Sequence, residues 1–262
     1  MADLKTYQEY GDELVRRLRL KTFPLAIKML ESEKDIPDGA KRPLKDLGHH
    51  FSLCQVLQMS RREGKIMAML KEDHWCFEPV VGYGLGEPPA FFVEGHNRYP
   101  KDVATLEAGK NYADEFPRLK VGKYVGMASA PLKSTNFEPD VVMIYGDSSQ
   151  LCLLLLGREY KDGRNLKCEI SGHAACVYGV VPAIKTGECQ VAVPCRGDHY
   201  RALASDEEMI FTAPRGKLND LMLGLRAIEK TGSKLPAGYS FLPEYPLLES
   251  YKKIGQMMGY IK

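Results

Sequence analysis

No apolar stretch in this 262-residue chain is long enough to cross a bilayer. The longest run, Leu151 to Leu156, has six residues, where a spanning helix needs about 20. A surplus of one charge is also missing. With 36 Lys and Arg against 34 Asp and Glu, a net charge of +2, nothing draws the chain electrostatically to nucleic acid. The short basic groups Arg16-Arg17 and Arg61-Arg62 read as solvated helix faces. The opening residues, Met1-Ala2-Asp3-Leu4-Lys5, carry an acid early and no apolar core, so no secretory signal is expected. A cytosolic location is the expectation, and there seven cysteines are not expected to pair as disulfides. No Gly-x-Ser-x-Gly occurs, which disfavours serine hydrolysis. No Gly-x-Gly-x-x-Gly opens a helix directly after a strand: Gly82-Tyr83-Gly84-Leu85-Gly86 runs into Glu87-Pro88-Pro89, the wrong context for a dinucleotide crevice. Cys-x-x-Cys pairs, the usual arrangement of structural zinc ligands, are absent too.

What the sequence does contain is a repeat. Gln55-Val56-Leu57 leads through Arg61-Arg62-Glu63-Gly64 to His74-Trp75-Cys76 and Val80-Val81. Gln150-Leu151-Cys152 leads through Arg158-Glu159-Tyr160 and Gly163 to His173-Ala174-Ala175-Cys176 and Val180-Val181. Glycine and cysteine are 12 residues apart in one copy and 13 in the other. Pro24 to Met29 matches Pro139 to Ile144, and Met127 to Pro131 matches Ile210 to Pro214. A unit repeated once, with a period far above the roughly 20–50 residues of a solenoid, predicts two pseudo-symmetric halves of a single domain, about 22–132 and 138–230.

Hydrophobic spacing predicts a helix over 3–20, a strand at Leu25–Leu30, a helix from Lys45 to Arg62 closed by Gly64, and strands at Lys65–Lys71, Ala90–Val93 and Lys123–Ala130, with a helix near Asp102–Ala108. The second half reads as strands at Val141–Tyr145, Lys167–Ile170, Cys189–Val193 and Glu208–Thr212 with helices at Ser149–Arg158 and Leu218–Glu229. An amphipathic helix over 246–262 ends the chain, its apolar stripe expected to pack on its own domain. The alternation predicts an α/β or α+β class with helices on a mixed sheet.

Four cysteines fall at segment ends, in loops or, for Cys54, near the middle of the Lys45 helix: Cys54, Cys76, Cys176 and Cys195. Cys152, Cys168 and Cys189 read as core or incidental. Four thiolates from separated segments suit a 4Fe-4S cluster or an all-cysteine zinc site, and without close pairs zinc is the less favoured metal. His74, His173, His96 and His199 recur near these positions and suit outer hydrogen bonding. Arg196 and Arg201 offer planar forks for a carboxylate or phosphate. Cys195 beside Arg196 also has the form of an activated nucleophile, with His199 as its base.

Pro24-Leu25-Ala26-Ile27-Lys28, Cys54-Gln55 with Arg61 and Gly64, Cys76 before a glycine-rich stretch, Pro139-Asp140-Val141-Val142, and Cys195-Arg196-Gly197-Asp198 together resemble domain of unknown function family 169, also called ArCR, from about residue 20 to 230. The resemblance, to a group from anaerobe-rich lineages, implies an oxygen-sensitive cluster with Cys54, Cys76, Cys176 and Cys195 as candidate ligands. The expectation is a 4Fe-4S protein with a redox, electron-transfer or cluster-dependent role, partnered by a small molecule or an electron carrier. The alternative is a metal-free small-molecule binder or enzyme using the groove between the halves, with Trp75, Arg196 and His199 as contacts. A scaffold or homo-oligomer built on the last helix is a third reading.

Overall fold

The computed structural model describes residues 3–235 and 247–261. Six strands form one sheet in the order β2-β3-β1-β4-β6-β5, with β1 (Leu25–Leu30), β2 (Met67–Leu70), β3 (Gly126–Pro131), β4 (Val141–Gly146), β5 (Gln190–Ala192) and β6 (Met209–Pro214). Every pairing is antiparallel, so the expected mixed sheet is corrected. The first three strands lie on one side and the last three on the other. Within each half the first strand is central, the third lies beside it and the second forms the edge.

Side chains alternate across the sheet and both faces are covered. Leu25, Ile27, Met29, Val141, Met143 and Tyr145 join one core, packed under helices α3 (Leu53–Glu63), α4 (Phe77–Gly82), α5 (Ala90–Val93), α6 (Leu106–Glu115) and α8 (Ala175–Thr186). Ala26, Leu30, Val142, Ile144, Phe211 and Ala213 join the other, under α1 (Leu4–Leu18), α7 (Ser148–Glu159) and α10 (Arg215–Lys230). The helices α2 (Pro43–Leu47), α9 (Arg196–Ala202) and α11 (Glu249–Met257) complete the chain. The result is a three-layer α/β/α domain.

Three local readings are corrected. The single helix from Lys45 to Arg62 is two, because Gly48 takes a left-handed φ of 75° that ends α2 and Ser52 starts α3 afresh by exchanging hydrogen bonds with Gln55. Ala90–Val93 is a helical turn rather than a strand: it starts at Pro89, stops at Gly95 with φ 88°, and delivers the fully buried Phe92 edge-on to Phe116. Residues 167–170 form no strand and are largely exposed, with no neighbouring strand to pair with. In the terminal helix, residues 246 and 262 lie outside the described residues. Leu248, Tyr251, Met257 and Met258 on or beside α11 are exposed rather than packed on the domain.

In each basic pair one residue is exposed as expected, Arg16 and Arg62, and the other is not. Arg61 is 1% exposed and Arg17 pairs with Glu13 at 2.6 Å and with Glu229. Arg226 of α10 grips Glu13 as well, its Nε donating at 2.9 Å. Its hydrogen bonds, assisted by Arg17 and opposed by burial, hold the Glu13 carboxyl down at about 2. Since the folded value lies below the unfolded one of about 4.3, the unfolded chain binds more protons as the pH falls. This contribution is therefore complete above about pH 4.3 and is lost towards pH 2. Arg226 is partly exposed, so screening limits it to about 1 kcal/mol. Glu13→Gln is expected to lower stability in denaturant titrations by about that much at pH 7, and by much less at pH 3. An equal loss at both pH values contradicts the assignment.

Candidate functional site

Four separate stretches of chain each bring one cysteine to the start of a helix. Cys54 is the second residue of α3, not a mid-helix residue, because of the break at Gly48. Ser52 Oγ lies 3.0 Å from its sulfur. The chain leaves β2 through a tight turn in which the fully buried Asp73 accepts from Arg42 Nε at 3.0 Å and from the backbone N–H of Leu70 at 2.8 Å. That turn leads through His74 and Trp75 to Cys76, the N-cap of α4. Cys176 is the second residue of α8, and its carbonyl accepts a 2.9 Å hydrogen bond from the buried Tyr83 hydroxyl. Ala174 caps that helix at φ 48°, a left-handed conformation unusual for a residue with a Cβ. It turns α8 inward. Cys195 caps α9, with its N–H donating to Asp198 Oδ2 at 3.2 Å and its sulfur 3.1 Å from the same oxygen.

All four cysteines line one cavity of about 250 Å³, together with Trp75, Glu78, Arg98, Lys101, Asp102, His173, Arg196, Gly197, Tyr200 and Arg201. The other three cysteines lie elsewhere: Cys152 exposed on α7, Cys168 half-buried in the irregular 163–171 stretch, and Cys189 in the opposite core. Of the core-or-incidental set, only Cys189 is fully buried.

Burial governs the thiols. It pushes Cys54 and Cys76 up to about 12 and Cys195 up to about 11, and raises Cys176 well above the ordinary thiol value. The carboxylate of Asp198 raises Cys54, Cys176 and Cys195 further, and Glu78 does so for Cys76. Backbone N–H groups of Ala175 and Asp198 on Cys195, and of Glu78 on Cys76, oppose this without winning. A nucleophilic thiol needs a lowered pKa, so the activated-nucleophile reading of Cys195 fails. Its proposed base is misplaced too: His199 Nδ1 lies 3.1 Å from the Ala204 carbonyl, and His199 is not part of the cavity wall. His74 is also off the wall, its two ring nitrogens buried without a hydrogen-bond partner. His173 lines the cavity, and His96 stacks on Phe91 away from it.

Comparison of the sequence with known proteins gives a family. The chain matches the family DUF169, "Uncharacterised ArCR", over residues 13–224. It belongs to the DUF169 family. The uncharacterized protein MJ0308 of Methanocaldococcus jannaschii is 24% identical over 223 residues, covering 84% of this chain and 94% of that protein. No solved structure matches the chain. The DUF169 match covers all four cavity cysteines.

Several polar groups that sequence reading passed over frame the DUF169 site. Arg98 is paired with Glu78 and with Asp102, the latter at 3.2 Å, and donates to the Tyr112 hydroxyl at 2.8 Å. Asp198, 1% exposed, also accepts from the Tyr145 hydroxyl at 3.0 Å. The Arg61 guanidinium lies 4.0 Å above the Tyr145 ring and makes two bonds to Glu208, at 2.8 and 3.2 Å. An unbroken run of contacts thus joins the Glu208–Arg61 pair to Cys195. No spacing rule in the sequence marks it, because beyond Cys195's own turn its successive contacts join residues 53, 84 and 147 positions apart.

Among the described residues, no three Cys, His, Asp or Glu side chains close on a point at the distance a single metal ion needs. The donor set nevertheless fits a larger group. In a 4Fe-4S cluster each cysteine binds a different iron, so the four sulfurs stand farther apart than around one ion. Gly197 keeps space open between two of them: a Cβ there would lie 3.5 Å from the Cys195 sulfur and 3.6 Å from that of Cys54.

Proposed function

We propose that Cys54, Cys76, Cys176 and Cys195 hold one 4Fe-4S cluster and that the protein serves a redox, electron-transfer or cluster-dependent small-molecule role. The observation that carries this reading is the convergence of four cysteines, drawn from four helix starts, on one cavity that excludes the other three. When bound, such a cluster supplies one-electron chemistry. The chain's own residues do the rest. Asp198 Oδ2, 3.1 Å from the Cys195 sulfur, is placed to take that thiol's proton as the sulfur becomes a ligand. The backbone N–H groups of Glu78, Ala175 and Asp198 then remain as donors to ligand sulfurs, the kind of contact that tunes a cluster's potential. Partial positive charge at the starts of α3 and α8 favours thiolate at Cys54 and Cys176.

The reading is tested by filling the space at Gly197. Anaerobic reconstitution with ferrous iron and sulfide is expected to load the parent protein and give a paramagnetic signal on reduction. Gly197→Leu, which projects a side chain between the Cys54 and Cys195 sulfurs, is expected to lose most of the bound iron, while Gly197→Ala, making only ordinary contacts, keeps it. A Gly197→Leu protein that is folded and loads as fully as the parent counts against a cluster in this cavity.

A further inference from the structure

The mouth of the cavity carries cations that, among the described residues, no carboxylate pairs with. Its wall holds four cationic side chains, Arg98, Lys101, Arg196 and Arg201, and two surface carboxylates, Glu78 and Asp102. Arg98 occupies both carboxylates. Among the described residues, Lys101, Arg196 and Arg201 have no ion-pair partner, and all three are exposed at the opening.

Arg201 is nevertheless held in place, and Arg196 lies near a ring. The Arg201 guanidinium lies 4.5 Å over the Trp75 ring, and the Trp75 indole N–H is itself fixed to Gln55 Oε1 at 3.2 Å. The Arg196 guanidinium lies 5.9 Å from the Tyr200 ring. A guanidinium packed by its face against an aromatic ring leaves its N–H edge free, and that edge matches the two oxygens of a carboxylate or phosphate. Like-charged groups gathered at a small opening whose carboxylates are already paired repel one another, a cost that a bound anion reverses. Trp75, 46% exposed, and Tyr200, 78% exposed, offer apolar walls for the organic part of such a ligand.

We infer that the mouth formed by Arg196, Arg201 and Lys101 is a binding site for a small organic anion, a carboxylic acid or phosphate ester, seated against Trp75. The site shares its cavity with the proposed cluster but needs no cluster to form, so the two readings stand or fall separately.

Trp75 is the single tryptophan of the chain, and its fluorescence reports this site alone. Metal-free protein is titrated with inorganic phosphate, glycerol phosphate and succinate at constant ionic strength, and iron-loaded protein with the same probes by calorimetry. At least one probe is expected to give a saturable change with a Kd of about 1 mM or tighter, within the range of weak specific ligands. Arg196→Gln and Arg201→Gln are expected to weaken it at least about tenfold, as loss of a charge-assisted fork should. Lys230→Gln, on the far side of the sheet, leaves it unchanged. Saturation by both phosphates alone identifies a phosphate ester, and saturation by succinate alone a carboxylic acid. No saturable change with any probe, or equal affinity in the two arginine variants, overturns the assignment. Either result is read whether or not the protein binds iron, so failure of the cluster is distinguishable from failure of the anion site.

Discussion

With the proposed cluster bound by the anaerobically isolated protein, replacing Cys176 by serine is expected to lower iron and sulfide from about four of each per chain to less than about one. Cys54→Ser, Cys76→Ser and Cys195→Ser are expected to do the same or to leave a partial cluster. Cys152→Ser and Cys168→Ser, which alter thiols outside the cavity, keep the parent content. A hydroxyl is a poor ligand for iron in a sulfur cluster, and the serine is nearly the size of the cysteine it replaces, so the effect falls on ligation more than on packing. Cys176 is the sharpest case because it is the one of the four that lies within the apolar core under the sheet. Elemental analysis of the six variants, with circular dichroism to establish folding, reads the outcome. Full iron in each of the four cavity variants contradicts the assignment.

Removing the Arg61 side chain is expected to produce the largest loss of stability of any single change. Arg61→Ala leaves the carboxylate of Glu208, 6% exposed, buried without its partner. It also frees the Ala202 carbonyl, which accepts from Arg61 Nη2 at 3.2 Å, and uncovers the Tyr145 ring. Breaking a buried pair from one side costs about 3–5 kcal/mol, which in a domain of this size lowers the thermal midpoint by roughly 10 °C. Glu208→Gln is expected to be destabilising as well, and Arg61→Met with Glu208→Leu to recover much of the loss, because replacing both charges by apolar groups removes the stranded one. Thermal and denaturant unfolding of the three variants measures this. A double variant as unstable as the sum of the singles means the two side chains act independently. Because Tyr145 links this pair to Asp198 and Cys195, Arg61→Ala is also expected to weaken iron retention at the cavity.

Much of the secondary structure was legible in the sequence for simple reasons. The apolar period of 3–20 marks α1, and β1 and β4 lie in buried apolar runs preceded by Pro24 and by Pro139-Asp140. The break before α3 was missed because Lys45 to Arg62 keeps an apolar period across Gly48. Ala90–Val93 was misread because four apolar residues fit either period, and only the flanking Pro89 and Gly95 decide. At the site, the repeated Cys76 and Cys176 were visible as residues. Their meeting with Cys54 and Cys195 is a matter of topology, which no local pattern carries. The Arg98–Glu78–Asp102 group and the Asp198–Tyr145–Arg61 run were invisible for the same reason: their members are ordinary polar residues until distant elements pack together.

We propose that the two halves are copies of one unit. The like order of strands on either side of the β1–β4 pairing supports this, as does a cysteine at the helix start before each half's second strand, Cys54 and Cys176, and one capping the helix after it, Cys76 and Cys195. The repeat in sequence is out of step with this order: α3 covers one face of the sheet and α7 the other, so Gln55 and Gln150, alike in sequence, do different work. Gln55 fixes Trp75 at the cavity mouth, whereas Gln150 Nε2 donates to the Leu18 carbonyl at 2.8 Å beneath α1.

The most direct test of the central claim is the visible spectrum of protein isolated without oxygen, with iron, zinc and acid-labile sulfide counted on the same sample. The account predicts a brown protein with broad absorbance near about 400 nm, about four iron and four sulfide per chain, and bleaching on reduction. A colourless protein holding zinc or no metal, and taking up neither iron nor sulfide on anaerobic reconstitution, contradicts it.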